Sequence, residues 1–411
     1  MRGGYWLSVA GILLIIGLLL HQVTLVLISL LLFLMKAVTK LWERYCLTRV
    51  EYCRTLSAHR VFFGDEIELK VEIANRKPLP LPWLEIIDEV PAEVTFLRGK
   101  TAPSEKLTQQ NLNNLLSLGW YHKVIRRYPL RCLQRGCFTF GPARIRSGDL
   151  FGFTRKEMEA RPIDYLTVYP KIVPVEKPGI PSNQPLGNIR TRRHLFQDPV
   201  LSLGVRDYHY GDSLKQIHWK TTARVGKLQT RLFEPTTTVD MGIFLDVRTI
   251  KPPAWGNIPE LFELGIIVAA SLAHHALAEG YPVGLYVNQP KKYSGEAIRI
   301  PPSQHRNQLP NILEALARLH ASFESMPIAR FVPYESRNLP WGSSLVVISA
   351  APTDELINTL LALKRAGRQV TLLVVGGQKL PTSLNGLNVY RVPDNVSWQQ
   401  LEKLKIQGVT Q

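Results

Sequence analysis

The feature that most restricts this chain is an apolar N-terminus that is too long for one membrane-spanning helix. Residues Tyr5 to Leu20 carry no charge, and after His21 and Gln22 a second uncharged stretch runs from Val23 to Met35. One straight helix over this block would be about 46 Å long, whereas the hydrocarbon core of a bilayer is about 30 Å thick. The sequence therefore predicts a break at His21 and Gln22 and a transmembrane helical hairpin over residues 1–40.

The positions of the positive charges predict the orientation of this hairpin. Arg2 precedes the block, the connection between its halves has no Lys or Arg, and four cations follow it: Lys36, Lys40, Arg44 and Arg49. By the positive-inside rule both ends lie in the cytoplasm, so we expect a multi-pass protein of the inner (plasma) membrane with cytoplasmic domains. A cleaved signal peptide is the alternative, but no A-x-A-like site follows Leu20.

Composition is typical of a folded, multidomain chain with an anionic partner. The chain has 411 residues, 45% of them apolar, and a formal net charge of +17. This charge predicts attraction to phospholipid, nucleic acid or an acidic protein. The four cysteines form no C-x-x-C pair and are too sparse for a disulfide scaffold, which favours a reducing compartment.

Short strands dominate residues 41–175. Ile67 to Ile73 alternates apolar and charged residues, and the runs His122 to Leu133 and Cys137 to Phe140 flank a turn at Gly136. Such spacing predicts a β-sandwich-like domain. We expect the polar stretch Lys100 to Ser117 to form a long loop or a short exposed helix within it.

One of these hairpins is strongly basic, with seven cations and no Asp or Glu between Lys123 and Arg146. Below a membrane anchor, such a face would be attracted to anionic lipid. A solvated strand face with no partner is the alternative. Recognised nucleic-acid motifs are absent, so we expect no nucleic-acid partner. The predicted lipid-facing cations are Lys36, Lys40, Arg126, Arg127 and Arg131.

Strands and helices alternate over residues 238–411. Apolar, β-branched runs such as Val283 to Val287 and Val370 to Val375 are separated by segments of helical period, including Asn257 to Glu279. Strands that read as buried on both faces predict a mainly parallel, doubly wound α/β sheet.

A basic segment, residues 176–237, connects the two predicted domains and contains the most specific motif of the chain. The motif lies in Val205 to Glu234 and resembles that of the bacterial family called domain of unknown function 58, R-x-Y-x-x-G-D-x-x-R-x-I-x-W-x-x-[ST]-A-R. Its positions here are Arg206, Tyr208, Gly211, Asp212, Lys215, Ile217, Trp219, Thr222, Ala223 and Arg224, with Lys215 in place of the usual Arg. The resemblance implies a von Willebrand factor A-like fold for residues 238–411 and a MoxR-type AAA+ ATPase as a possible partner.

The residues of the motif allow two interpretations. Gly211 and Asp212 predict a turn in which Asp212 caps the following residues, and Ile217 and Trp219 are expected to be apolar anchors. Charge-assisted contacts would then make the segment a clamp between its flanking domains. The alternative is a docking site for an acidic partner or phosphate.

The resemblance also raises the question of a metal site. Metal-binding A-like domains end their first strand in D-x-S-x-S, whose oxygens suit Mg²⁺. The corresponding residues here are Asp246, Arg248 and Ile250, and a later strand ends in Ser349 without an acidic neighbour. With both hydroxyls missing, we expect no metal and no cofactor, and Asp246 would instead pair with Arg248 or with an arginine of the motif.

We therefore expect a membrane-anchored, cytosol-facing scaffold or adaptor and not an enzyme, since no catalytic motif has a fitting context. A metal-dependent binding module and an envelope-related hydrolase are the alternatives. The predicted partner-binding residues are Arg206, Tyr208, Gly211, Asp212, Lys215, Trp219, Arg224 and Asp246.

Overall fold

The computed structural model describes residues 5–106, 108–149, 154–176, 197–209, 217–235, 240–250, 257–290, 297–321, 325–340, 342–377 and 386–408. The chain divides into two compact units, unit 1 (Met1–Pro170) and unit 2 (Lys171–Gln411).

Unit 1 begins with two apolar helices that contact each other, α1 (Tyr5–Leu19) and α2 (Val23–Tyr45). They are separated at the expected position, where His21 adopts a positive φ of 49°. Two described helices are long and apolar enough to cross a membrane by length and composition alone: α2, whose apolar window is 11% buried, and Pro259–Ala278, whose window is 72% buried. Burial identifies the second as a core helix, and α2 exposes its apolar side chains.

The rest of unit 1 is built from strands. Three sheets have the orders β1-β3-β8-β5, β11-β10-β4-β7-β6 and β2-β12-β9. The strands are β1 (Val50–Leu56), β2 (Arg60–Phe62), β3 (Glu66–Asn75), β4 (Leu81–Pro91), β5 (Val94–Phe96), β6 (Thr101–Pro103), β7 (Gln109–Leu118), β8 (Lys123–Cys132), β9 (Gly136–Phe140), β10 (Ala143–Gly148), β11 (Arg155–Ala160) and β12 (Asp164–Tyr169). Side chains from all three sheets, among them Leu69, Ile86 and Leu166, form one buried apolar cluster.

The expectation of a loop or exposed helix over Lys100 to Ser117 is wrong, because β6 and most of β7 lie there. The Asn-rich composition hides an alternation in which Leu112 and Leu118 are buried. Asn114 is also buried, and its Oδ1 accepts hydrogen bonds from Arg126 and from the hydroxyl of Tyr128. Bonds between two sheets thus engage the side-chain oxygen of a polar residue that sequence reasoning assigned to solvent.

One buried cation joins the three sheets of unit 1. Arg54 on β1 donates from Nη1 to Asp88 Oδ1 on β4 at 2.5 Å and from Nε to Asp164 Oδ2 on β12 at 2.7 Å. Its Nη2 donates to the carbonyl oxygens of Phe140 at 2.6 Å and Pro162 at 2.7 Å. Tyr52 donates to the second oxygen of Asp88 at 2.6 Å. A buried charge is tolerated when its donors are satisfied in this way.

A second buried cation holds the end of α2. The side-chain nitrogen of Lys77 donates to the carbonyl oxygens of Cys46 at 2.7 Å and Thr48 at 2.8 Å, just beyond the last turn of the helix. Burial lowers the pKa of Lys77 to about 8. Farther up the helix, the Thr39 hydroxyl donates to Asp149 Oδ2 at 3.5 Å. Polar bonds thus fix where α2 meets the strands.

We expect Arg54→Met to lower the free energy of unfolding of unit 1 by about 3 to 5 kcal/mol, because it leaves the buried carboxylate of Asp88 without its cation. Arg76→Met is the matched control: its pair with Glu51 is exposed, so the loss should be at most about 1 kcal/mol. Hydrogen exchange of β1, β4 and β12 amides, read by mass spectrometry, measures both. Equal losses in the two variants would contradict the prediction.

Unit 2 contains a seven-stranded sheet of order β18-β17-β16-β19-β20-β21-β23. Its strands are β16 (Met241–Leu245), β17 (Val283–Pro290), β18 (Ala297–Ser303), β19 (Ser344–Ser349), β20 (Gln369–Val375), β21 (Asn388–Val392) and β23 (Gln407–Gly408). The five central strands, which in spatial order are β17, β16, β19, β20 and β21, are parallel. The outer strands β18 and β23 pair antiparallel with β17 and β21. The prediction of a mainly parallel sheet in this part of the chain is confirmed.

The remaining elements of unit 2 are helices and two shorter strand pairings. The helices are α3 (Trp219–Val225), α4 (Pro259–Ala278), α5 (Gln308–Ala317), α6 (Ile328–Ser336) and α7 (Asp354–Arg365), with a 3-10 turn at Trp398–Gln400. β13 (Val175–Glu176) pairs with β22 (Leu404–Lys405), and β14 (Gln197–Asp207) pairs with β15 (Gln229–Pro235). All five residues of β16 and all six of β19 are buried, as expected for strands in the interior of a parallel sheet.

Candidate functional site

The described part of the motif folds as a strand pair that encloses a short helix. β14 and β15 run antiparallel, and α3 lies between them in the chain. His218 caps α3 by accepting a hydrogen bond on Nδ1 from the Thr221 amide at 3.1 Å. At the other end Gly226 has a φ of 70°, a left-handed conformation that suits glycine after a helix. The Thr222 hydroxyl then accepts from the Gln229 amide at 3.0 Å, which joins the helix to β15.

Only one of the two expected apolar anchors of the motif is buried. Ile217 is 4% exposed and bridges to Thr230, whereas Trp219 is 67% exposed. The interpretation of Trp219 as an anchor is therefore wrong. A seven-residue helix held by its two ends needs no indole beneath it, so this side chain is left in solvent.

The exposed side chains of α3 and of the turn after it form what we call the α3 surface. It combines Trp219, Val225 and Leu228 with the cations Lys220, Arg224 and Lys227. Lys220 and Arg224 are four residues apart on the helix, so their charges repel. A helix that places two like charges beside an exposed indole departs from the local rules for stability, as interaction sites often do.

The first half of the motif is bonded to the second across the strand pair. Arg206 Nη1 lies 2.7 Å from His209 Nδ1 and donates to the Asp207 carbonyl oxygen at 3.2 Å. The Tyr208 amide donates to the Leu228 carbonyl oxygen at 3.0 Å, and Gln229 donates to the carboxylate of Asp207. Arg206, Tyr208, Trp219 and Arg224 thus belong to one local structure. Gly211, Asp212 and Lys215 lie outside the described residues.

Asp246 belongs to a different structure, a buried polar cluster at the carboxyl end of β16. Its Oδ1 accepts from Asn288 Nδ2 at 2.8 Å and from the Arg248 amide at 3.2 Å, and its Oδ2 accepts from the Ser349 hydroxyl at 2.9 Å. Burial raises the pKa of Asp246, and these three donors oppose the rise. Asn288 also donates to the Met326 carbonyl oxygen at 2.9 Å, so the cluster extends to the chain before α6.

The guanidinium of Arg248 makes a different contact from the one expected. It donates from Nε to the Ser325 hydroxyl at 2.8 Å and from Nη2 to the Ser325 carbonyl oxygen, while only the backbone amide of Arg248 bonds Asp246. Sequence reasoning missed Asn288 and Ser325 as partners in this cluster. Asn288 could have been found, because it lies on β17, the neighbour of β16, where the carboxyl ends of parallel strands meet.

The residues around Asp246 do not fit a bound metal. Both carboxylate oxygens of Asp246 accept hydrogen bonds from protein donors, and the Arg248 guanidinium bonds Ser325 in the same cluster, so a cation and amide donors surround Asp246 instead of further oxygen ligands. In the parts of the chain that the structure describes, no three His, Cys, Asp or Glu side chains gather as a metal site would require. Asp246 acts as an acceptor that ties three strand ends together.

The basic hairpin of unit 1 lies beside acidic neighbours. Arg127 Nε is 3.4 Å from Glu68 Oε1, Arg131 Nε is 3.9 Å from Glu66 Oε1, and Lys123 Nζ is 2.6 Å from Glu72 Oε2. All three glutamates lie on β3, the strand that pairs with β8. Arg126 bonds Asn114 at 2.5 Å. These contacts reduce the net charge of the face, and the assignment of Arg126, Arg127 and Arg131 to lipid stays a prediction.

Together these features define a chain with an apolar helix pair, a strand-rich first unit and a second unit that joins the motif to a mainly parallel sheet. Residues 204–375 match the family described as Protein of unknown function DUF58, which confirms the resemblance inferred from the motif. The chain is also similar to the uncharacterized protein YeaD of Bacillus subtilis (strain 168). The two are 24% identical over 340 residues, which cover 80% of this chain and 77% of YeaD.

Two solved structures resemble part of the chain. The CARDB domain of a Pyrococcus furiosus protein has a TM-score of 0.20 and 12% identity, and the alignment covers 29% of this chain and 89% of that domain. A cohesin module of a Clostridium perfringens family 33 glycoside hydrolase has a TM-score of 0.22 and 14% identity, covering 29% of this chain and 97% of the module. Likenesses this weak carry no argument about function.

We expect Asp246→Ala to lower the free energy of unfolding of unit 2 by about 3 kcal/mol, because three buried donors lose their acceptor. Asp246→Asn is the matched variant. It retains an oxygen for Asn288 and the Arg248 amide, and the Ser349 hydroxyl can rotate to accept from the new amide group, so the loss should be below about 1 kcal/mol. Hydrogen exchange of β16, β17 and β19 measures both. An equal loss in the two variants would mean that the charge itself is required.

Proposed function

We propose that this protein is a membrane-anchored, cytosol-facing scaffold or adaptor that binds an acidic protein partner through the α3 surface. The observation that carries the proposal is the 67% exposure of Trp219 beside the exposed cations Lys220 and Arg224. Trp and Arg are the residues most enriched among the hot spots of protein interfaces. Clustered cations add attraction to an acidic surface and accelerate its encounter.

The architecture supports this role. The shared apolar cluster of the sheets in unit 1 favours a β-sandwich for residues 41–175. The central parallel strands of unit 2 favour a doubly wound, von Willebrand factor A-like domain for residues 238–411. We also propose a helical hairpin at residues 1–40 as the anchor and the motif segment at 176–237 as the docking element that connects the two domains.

A MoxR-type AAA+ ATPase is the partner that we propose first, because the family resemblance implies it. A metal-dependent binding module is the principal rival, and the occupied oxygens of Asp246 weigh against it. We propose a binding role without catalysis, since the clusters around Asp246 and Arg54 consist of side chains bonded to one another.

Chemical labelling of the natural cysteines tests the proposed membrane topology. Cys53 and Cys137 are free and exposed in unit 1. If unit 1 lies in the cytoplasm, a membrane-impermeant maleimide should label them only after the cells are permeabilised. In a variant in which Gln22→Cys is the only cysteine, labelling should occur in intact cells, because the connection lies outside. Labelling of Cys53 and Cys137 in intact cells would refute the topology.

We expect Trp219→Ala to weaken binding of the ATPase to the full chain at least about tenfold, because a central interface tryptophan contributes 2 kcal/mol or more. Trp120→Ala is the matched control, since Trp120 is 68% exposed but lies in unit 1. Biolayer interferometry with the full chain in detergent and a purified MoxR-type ATPase from the same organism measures both. Equal affinity of wild type and Trp219→Ala would remove the α3 surface from the interface.

A further inference from the structure

A cavity of about 630 Å³ opens on the face of the β11-β10-β4-β7 sheet in unit 1, and we call it the Trp83 cavity. It contains an indole, cations and carboxylates in close proximity. Its lining residues are Trp83, Glu85, Leu115, Arg146, Arg155, Lys156 and Glu157.

The pairing register of β4, β10 and β11 determines which side chains lie together in this cavity. Arg146 on β10 is paired across the sheet with Glu85 on β4 and with Glu157 on β11. Two residues farther along β10, Gly148 is paired with Arg155. A side chain at Gly148 would come within 2.8 Å of the Trp83 ring and closer still to the Thr154 backbone. The glycine therefore lets the Trp83 ring and the Thr154 backbone pack directly against β10, which fixes the indole as one wall of the cavity.

The charges of the cavity favour a ligand with one negative charge. Arg146 Nε is 2.9 Å from Glu157 Oε2, and Arg146 Nη1 is 3.9 Å from Glu85 Oε2, so this cation is shared between two carboxylates. Arg155 and Lys156 are both exposed and add two positive charges. The lining thus has three cations and two carboxylates, a net charge of +1. The two carboxylates would repel a polyanion such as nucleic acid. A single phosphodiester carries one negative charge, which matches the net charge of +1 in the lining.

Contacts with α2 place the cavity near the end of the apolar helix. The Trp83 indole donates to the Asp149 carbonyl oxygen at 3.1 Å, and the carboxylate of Asp149 accepts from Thr39. Thr39 lies four residues, or about 6 Å, beyond Met35, the last residue of the apolar run.

We propose that the Trp83 cavity binds the headgroup of an anionic phospholipid with a hydroxylated phosphodiester, such as phosphatidylglycerol. Arg155 contacts the phosphate, and the headgroup hydroxyls donate to Glu85 and Glu157. Lys156 lies on the opposite face of β11, where it is paired with Ser147, and adds its positive charge from that side. Trp83 contributes the amphipathic ring that is common at membrane interfaces. This inference rests on the proposed membrane anchoring by α1 and α2, which brings the cavity to the depth of the headgroups.

The test uses native mass spectrometry of the full chain in detergent, titrated with phosphatidylglycerol or with phosphatidylethanolamine. The wild type should retain phosphatidylglycerol more tightly than phosphatidylethanolamine. The double variant Arg155→Gln/Lys156→Gln should lose affinity for phosphatidylglycerol about 25-fold, because each of the two cations contributes about a fivefold factor near a membrane. The charge-matched control is Arg98→Gln/Lys100→Gln, two exposed cations outside the cavity, and it should bind like the wild type.

Three results would overturn the proposal. Equal binding of phosphatidylglycerol by wild type and Arg155→Gln/Lys156→Gln would show that lipid binds elsewhere. An equal loss in the Arg98→Gln/Lys100→Gln control would show that net charge alone matters. Displacement of the lipid by equimolar glycerophosphoglycerol would identify a soluble phosphodiester as the ligand.

A flotation assay with phosphatidylglycerol liposomes separates this inference from the anchoring on which it rests. Wild type and Arg155→Gln/Lys156→Gln should both float, because α1 and α2 are intact in both. Failure of the wild type to float would refute the anchoring. Flotation of both proteins, with unchanged lipid retention in the double variant, would refute the cavity alone.

Discussion

Unit 1 depends on the need to satisfy one buried guanidinium. Arg54 is 3% exposed and bonds carboxylates and carbonyls that come from different sheets. Shifting one sheet against another would break a charge-assisted bond in a place that water does not reach, whereas apolar packing alone tolerates small shifts. Lys77 applies the same constraint to the end of α2. The emergence of the apolar helix from the strands is therefore set by directional bonds.

Unit 2 uses a buried carboxyl group, that of Asp246, at the edge where open parallel sheets commonly bind ligands. Both carboxylate oxygens of Asp246 accept hydrogen bonds, which come from Asn288, Ser349 and the Arg248 amide. This edge is thereby held together by internal bonds. The exposed indole and cations lie instead on α3 and the turn after it, between the two strands that carry the motif, which is why our proposal places binding there.

The distribution of charge shows how far a count along the chain can mislead. The window from Lys123 to Arg146 contains seven cations and no acidic residue, yet strand pairing brings Glu66, Glu68 and Glu72 of β3 to its side. Sequence reasoning could not pair these groups, because register depends on contacts between strands that are distant in the chain. The same pairing of distant strands builds the Trp83 cavity, which no local pattern indicated.

The sequence by itself determined the break between α1 and α2, the strand-rich first unit, the mainly parallel sheet of the second and the resemblance of the motif to a known family. Each of these depends on periodicity, length or residue identity within a short window. Only the tertiary structure decided that Trp219 is exposed while Ile217 is buried, that Lys100 to Ser117 contains strands, and that Arg248 bonds Ser325. Those outcomes depend on which distant groups meet a side chain, because burial and hydrogen-bond partners are properties of the folded neighbourhood.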